Sequence, residues 1–137
     1  MSFQYERSIH LRDTDAAGVV YFAHVLSMCH EAYEASLQEA DVDITSFLAK
    51  DAIALPITRA TVDFRRPMRC GEVYIIRATP QVLSDSSFEI SYTLHCSDRP
   101  DTLSSQATTE HVAIAPDRQR CLLPSSILQW IDFLRKT

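Results

Sequence analysis

The sequence predicts an α+β domain in which the helices gather on one face of an antiparallel sheet. Three observations lead there: one long stretch with three-and-four apolar spacing lies near the N-terminus, four extended runs of period two follow it, and short turn-like segments join those runs. No repeat, low-complexity tract or linker interrupts the chain, so residues 1–137 are expected to form a single domain.

Each element has its own signal. Phe3, Tyr5, Arg7, Ile9 and Leu11 alternate with polar neighbours and suit an opening strand. After Gly18, apolar residues fall at Phe22, Val25, Leu26, Cys29, Tyr33 and Leu37, one face of a helix that continues to about Ala40. The stretch "DITSFLAKD" adds a short second helix, with Asp43 or Thr45 near its start. From Ala52 the period becomes two. "ITRATVDF" puts Ala60, Val62 and Phe64 on one side, "EVYIIRATPQVL" is a second extended run, and "FEISYTLHC" alternates without a slip through Phe88, Ile90, Tyr92, Leu94 and Cys96. A last run covers Thr102 to Ile114. "RPMRCGE", "SDSS" and "SDRPD" carry the turn residues between them, and "LPSSILQWIDFL" supplies a proline, a serine cap and a closing amphipathic helix.

Composition removes several functional classes. No apolar run approaches the ~20 residues of a membrane-spanning helix, and "MSFQYERSIH" lacks the apolar centre of a secretion signal, so a cytoplasmic location is the default expectation. Cys29, Cys70, Cys96 and Cys121 form no Cys-x-x-Cys pair and are expected as buried free thiols. "HEAYE" offers Glu34 where a zinc-binding His-Glu-x-x-His needs its second histidine, so no metal is expected. A net charge of −5 disfavours a nucleic-acid partner. The charge is uneven, however. Between Arg59 and Arg77 five arginines face two acids, which reads either as a solvated strand face or as a local site for a phosphorylated ligand.

The segment "DTDAAGVVYF", Asp13 to Phe22, holds the candidate chemistry. As a calcium loop starting at Asp13 it would offer Ala17 at position five and His24 at position twelve, so two side-chain ligands are missing and calcium is dropped. As a capped turn it is unremarkable, since Asp and Thr bond local amides and glycine frees the backbone. Two features favour an active site. The chain has only two glycines where about 7% is usual, and a helix starting after Gly18 aims free amides and a positive dipole end at the carboxylates before it. That pairing suits thioester hydrolysis, which needs an attacking oxygen and oxyanion donors but little help for a thiolate leaving group. Asp15 would either attack the carbonyl or take a proton from water. Serine-hydrolase chemistry is disfavoured because no Gly-x-Ser-x-Gly elbow occurs.

"DTDAAGVVYFAHVLSMCHEAYEA" resembles the signature of hotdog-fold acyl-CoA thioesterases of the 4-hydroxybenzoyl-CoA thioesterase type. The likeness continues through "VDFRRPMRCGE" to the strand before "LLP" and is specific in the first third. It implies a sheet wrapped around the long helix, homodimers that share active sites and assemble into homotetramers, and no cofactor, CoA being part of the substrate. By position it makes Asp15 the catalytic carboxylate and Asp13 a structural brace. The Phe22 amide becomes the donor to the thioester carbonyl, with Gly18 allowing the approach. It offers Arg59, Arg65 and Arg66, with Arg69, as partners of the CoA phosphates. Tyr21, His24 and Tyr33 are candidates for shaping the acyl pocket.

Envelope-linked members commonly carry "VVYH" where this chain has "VVYF", and Phe22 there suits a flat aromatic acyl group by stacking, or else simple core packing. "MCHEAYEASL" and "ALPITRATVDF" further resemble members that hydrolyse 1,4-dihydroxy-2-naphthoyl-CoA on the route to phylloquinone. The alternatives are a general short-chain or benzoyl-type thioesterase, an enoyl-CoA dehydratase or isomerase, which would need a histidine at the Phe22 position, and a non-catalytic acyl-CoA binding module.

Overall fold

The computed structural model describes residues 3–136. Strand β1 (Phe3–Ser8) leads through a 3-10 turn at Leu11–Asp13 to helix α1 (Phe22–Glu39). A second 3-10 turn (Ile44–Leu48) precedes β2 (Ile57–Phe64), β3 (Val73–Ser84), β4 (Ser87–Cys96), β5 (Leu103–Val112) and helix α2 (Ser125–Lys136). The five strands form one sheet in the order β1-β3-β4-β5-β2, every pairing antiparallel.

Period two builds the inner face. Phe88, Ile90, Tyr92, Leu94 and Cys96 of β4 are all buried, beside Tyr74, Ile76 and Ala78 of β3. The helices cover this face. α1 contributes Val25, Met28, Cys29, Ala32, Tyr33 and Leu37, and α2 contributes Ile127, Trp130, Ile131 and Leu134. Trp130 locks the two helices together: its indole N–H donates to Ser36 Oγ (2.9 Å), which donates to the Tyr33 carbonyl (2.6 Å). A buried indole needs such an acceptor, because an unmet donor in the core costs more than the bond itself gains.

The structure departs from the sequence expectations at the ends of elements. β1 stops at Ser8 rather than reaching Leu11, which sits on the first 3-10 turn and is 77% exposed. α1 begins at Phe22 because Val19 and Val20 are extended and bridge to Arg69 and Thr14. The expected second helix is a single 3-10 turn, capped by Asp43 Oδ1 accepting from the Thr45 amide (3.0 Å). Of the four cysteines only Cys29 and Cys96 are buried, whereas Cys70 is exposed at the β2–β3 connection and Cys121 half-buried.

β2 matters most for the site. It pairs with β5 along one edge only, and every residue except the half-buried Val62 is exposed. α1 packs against β1, β3 and β5. β2 therefore stands beyond the main helix contact and walls one side of a trough along α1.

Candidate active site

The loop between the first 3-10 turn and α1 is built by a few backbone bonds. The Asp15 amide donates to the Val19 carbonyl (2.9 Å), the Gly18 amide to the Asp15 carbonyl (3.0 Å), and the Ala17 amide to Asp15 Oδ1 (2.9 Å). Closing so tight a turn puts Gly18 at φ +82°, the left-handed region in which a side chain is strained. An added Cβ there would meet nothing within 4 Å. Gly18 is required by the turn, and its own amide is spent on the Asp15 carbonyl, so the donors to a thioester carbonyl must come from the helix start. The loop is tied to the β2–β3 connection by the Val20 amide on the Met68 carbonyl (2.8 Å), and the Tyr21 amide closes it on the Asp13 carbonyl (2.9 Å).

The helix start is left open. Tyr21 is the N-cap, its side chain makes no capping bond, and the first turn holds no acid. The His24 amide bonds the Tyr21 carbonyl (2.8 Å), while the Phe22 and Ala23 amides have no acceptor among the described residues. An uncapped end exposes free donors and the positive end of the helix dipole. Phe22 is 61% exposed, so the core-packing reading of this residue fails within the chain; the Tyr21 ring lies 4.8 Å from it and 5.7 Å from His24. Asp15 is exposed, with Oδ1 held by the turn and Oδ2 without a partner among the described residues.

Asp13 has the opposite environment. It is buried, accepts the His10 amide (2.7 Å), and forms an ion pair with Arg7 of β1. Arg7 also binds Glu31 of α1 through Nε (3.0 Å), and Glu31 accepts the Tyr5 hydroxyl (3.1 Å). Burial alone would raise the Asp13 carboxyl, but the Arg7 guanidinium and the His10 amide outweigh it and hold it below the usual range. One acid braces the loop while the other faces solvent. Sequence reasoning missed Arg7 and Glu31. The available signal was an arginine in the apolar phase of an alternating strand, between Tyr5 and Ile9.

Two of the candidate arginines reach this region. Arg65 and Arg66 line a cavity of about 240 Å³ with Val19, Val20 and Met68 of the loop and its anchor. Their amides are fixed on the Ser104 carbonyl (2.9 and 3.0 Å). Arg59 lies elsewhere on β2, its Nε 3.7 Å from Glu110 in an exposed pair. Arg69 is exposed beside the Val19 bridge. Further along α1 a second cavity, about 380 Å³, lies between Leu26, Ser27 and His30 of the helix and Ile57, Ala60, Tyr92 and Thr109 of the sheet. Tyr33 is buried with its ring against Phe88, His111 and Trp130, and His24 is half-buried on the first turn.

Comparison with known proteins gives the family of this chain. Residues 9–131 match the family model described as the thioesterase-like superfamily. The chain belongs to the thioesterase-like superfamily. The 1,4-dihydroxy-2-naphthoyl-CoA hydrolase of Crocosphaera subtropica is 50% identical to this thioesterase over 128 residues, 93% of each chain. That of Trichodesmium erythraeum is 46% identical over 132 residues, 96% of each. The crystal structure of a 1,4-dihydroxy-2-naphthoyl-CoA thioesterase from Synechocystis superposes with a TM-score of 0.92 at 36% identity, covering 98% of both chains. The expected hotdog architecture of this thioesterase is thereby established.

Proposed function

We propose that this thioesterase hydrolyses 1,4-dihydroxy-2-naphthoyl-CoA to 1,4-dihydroxy-2-naphthoate and CoA. The observation that carries the reading is an exposed carboxylate, Asp15, on a tight turn that leads into an uncapped helix end, in a chain 46–50% identical over almost its whole length to hydrolases of that thioester. The thioester carbonyl oxygen accepts the free Phe22 amide, which stabilises the negative charge that develops there as the carbon becomes tetrahedral. Oxygen is delivered to that carbon by Asp15, either directly as an Asp15 acyl anhydride that water then opens, or through a water that Asp15 deprotonates. In both routes the C–S bond breaks, a C–O bond from water takes its place, and the CoA thiolate leaves and is protonated by solvent. Arg65 and Arg66 face the CoA phosphates from the cavity beside the loop, and CoA enters as part of the substrate, so the reaction needs no cofactor.

The active unit is a homodimer that pairs β2 strands edge to edge and assembles further into a homotetramer. An unpaired, exposed edge strand carrying Ile57 and Phe64 supports this, because such an edge invites a partner strand. Light scattering at two or four times the 15.5 kDa chain mass is the expected result. No helix among the described residues is long and apolar enough to cross a membrane.

The deciding experiment measures thiol release from a panel of acyl-CoA thioesters by the unmodified protein and by Asp15→Asn. The naphthoyl thioester should be the best substrate, and Asp15→Asn should lose about 10²–10⁴-fold in turnover with the fold retained. Equal rates across aromatic and short aliphatic thioesters would reduce the reading to a general thioesterase. Full turnover in Asp15→Asn would remove it.

A further inference from the structure

The second cavity contains hydrogen-bonding capacity that the proposed mechanism does not use. Its sheet wall carries Tyr92 and Thr109, residues that are 2% and 4% exposed. Thr109 in turn contacts His111, which is 1% exposed and stacked on Phe88 at 4.6 Å.

The protons of this cluster can be assigned from its geometry. His111 Nδ1 lies 3.3 Å from the Leu55 carbonyl, which can only accept, so Nδ1 carries the ring proton. Burial keeps the imidazole neutral, its pKa pushed down to about 4 despite the Leu55 bond. Nε2 is then a bare acceptor and takes the Thr109 hydroxyl proton at 2.9 Å. With that proton spent, Thr109 Oγ1 presents lone pairs to the cavity. Thr109 Oγ1 also faces the Tyr92 oxygen at 3.5 Å, a longer second contact for its one proton and beyond the usual O–H···O range, and the Tyr92 proton has no acceptor within that range among the described residues. Burial raises the phenol, so it stays protonated at neutral pH. One unspent donor and one available acceptor therefore lie side by side on the wall of a largely apolar cavity. A hydroxyl group, which both accepts and donates, is the complement of that pair.

The cavity also lies where an acyl group would extend. Leu26 follows Phe22 by four residues, about 6 Å of helix rise, and a volume near 380 Å³ falls within the ~300–1,000 Å³ range of small-molecule sites. Ser27 and His30 line the same cavity from the helix but are exposed, so water can satisfy them. Tyr92 has no such alternative, and leaving it unpaired is costly.

We infer that this cavity holds the aryl ring of the acyl group, and that Tyr92 donates to, and Thr109 accepts from, the ring hydroxyl remote from the thioester carbonyl. This rests on the proposed thioesterase function and assigns a substrate-discriminating role to residues distant in sequence from the Asp15 loop. A site built to pair a hydroxyl rejects the analogue lacking it, because the buried groups are then left unmet.

The test compares 1,4-dihydroxy-2-naphthoyl-CoA with 1-hydroxy-2-naphthoyl-CoA, which lacks only the remote hydroxyl. The unmodified protein should prefer the dihydroxy thioester by about tenfold in kcat/KM. Tyr92→Phe should lower that value by about tenfold while changing the monohydroxy value by less than about twofold, which abolishes the preference. Thr109→Ser, which keeps the hydroxyl, should retain the preference, and Thr109→Val should lose it. A parallel fall with both thioesters in Tyr92→Phe, or an undiminished preference, overturns the assignment and leaves the thioesterase intact. Failure of the unmodified protein to cleave either thioester overturns the proposed function, and the hydroxyl site with it.

Discussion

Replacing Arg7 with methionine keeps an apolar stem of similar reach and deletes the guanidinium that joins β1, the Asp15 loop and α1. In the native protein Arg7 and Asp13 side chains are 9% and 7% exposed, and among the described residues Asp13 has only the His10 amide as a further partner. The substitution therefore strands a buried carboxylate, for which the cost is about 3–5 kcal/mol. The bond to Glu31 adds little, since that carboxylate is 36% exposed and solvent screens it. With an unfolding entropy of about 2.1 cal/mol/K per residue, a loss of that size over 137 residues lowers Tm by about 10–17 °C.

Thermal melts at pH 7 and fixed protein concentration measure this, and Arg7→Met/Asp13→Asn should recover about half of the loss because it removes the stranded charge. The sign with pH follows from the lowered Asp13 carboxyl. Its contribution is complete above the unfolded value near ~3.9 and disappears as pH falls through the lower folded value, so the gap between native and Arg7→Met proteins should close in strong acid. A Tm within about 3 °C of the native protein, or a double variant no more stable than the single one, would refute the clamp.

Two further perturbations are informative. His111 titrates near 4 when folded and near ~6.5 when unfolded, so the unfolded chain binds the extra proton between those values and stability should fall by about 3 kcal/mol as pH drops through that interval; urea unfolding of His111→Gln at pH 7, 5.5 and 4 should show that slope flattened. Tyr21→Asp supplies the missing cap through the free Ala23 amide and should raise stability by about 1 kcal/mol, yet turnover should fall at least tenfold because the new carboxylate sets a negative charge beside the Phe22 amide proposed to receive the thioester carbonyl.

Much of the fold was legible because burial imposes a period. β4 alternates without interruption and every inward residue is buried, and the α1 stripe is helical where it touches sheet. The same reasoning misjudged Phe22. It fits the apolar stripe, but α1 starts at Phe22, which faces solvent, whereas Leu26 packs half-buried against the core and also lines a cavity. Period describes which residues share a face, not what that face meets. The brace was half legible: Asp13 was assigned a structural role, but its partner Arg7 lies across a strand and a turn, and no local pattern pairs them. Tyr92, Thr109 and His111 gave no signal at all. They occupy ordinary inward positions of strands, where a polar group becomes informative only once its neighbours and its unspent protons are known.

The places where this chain breaks local rules lie close together. Gly18 holds a left-handed turn, Tyr21 stands where Ser, Thr, Asp or Asn would cap the helix, and β2 leaves its inner face and one edge uncovered. Each departure costs stability, and each has a use in the proposed reaction. The turn leaves Asp15 exposed, the absent cap keeps any carboxylate away from the Phe22 amide proposed to meet the carbonyl, and the uncovered strand opens the trough proposed to take the aryl group. The Arg7–Asp13 pair and the Trp130–Ser36 bond are buried polar contacts of the elements that flank this region. Rigid polar joints thus hold in place a helix end that, by its own local sequence, is poorly finished, and a free donor at a fixed position is what a developing oxyanion requires.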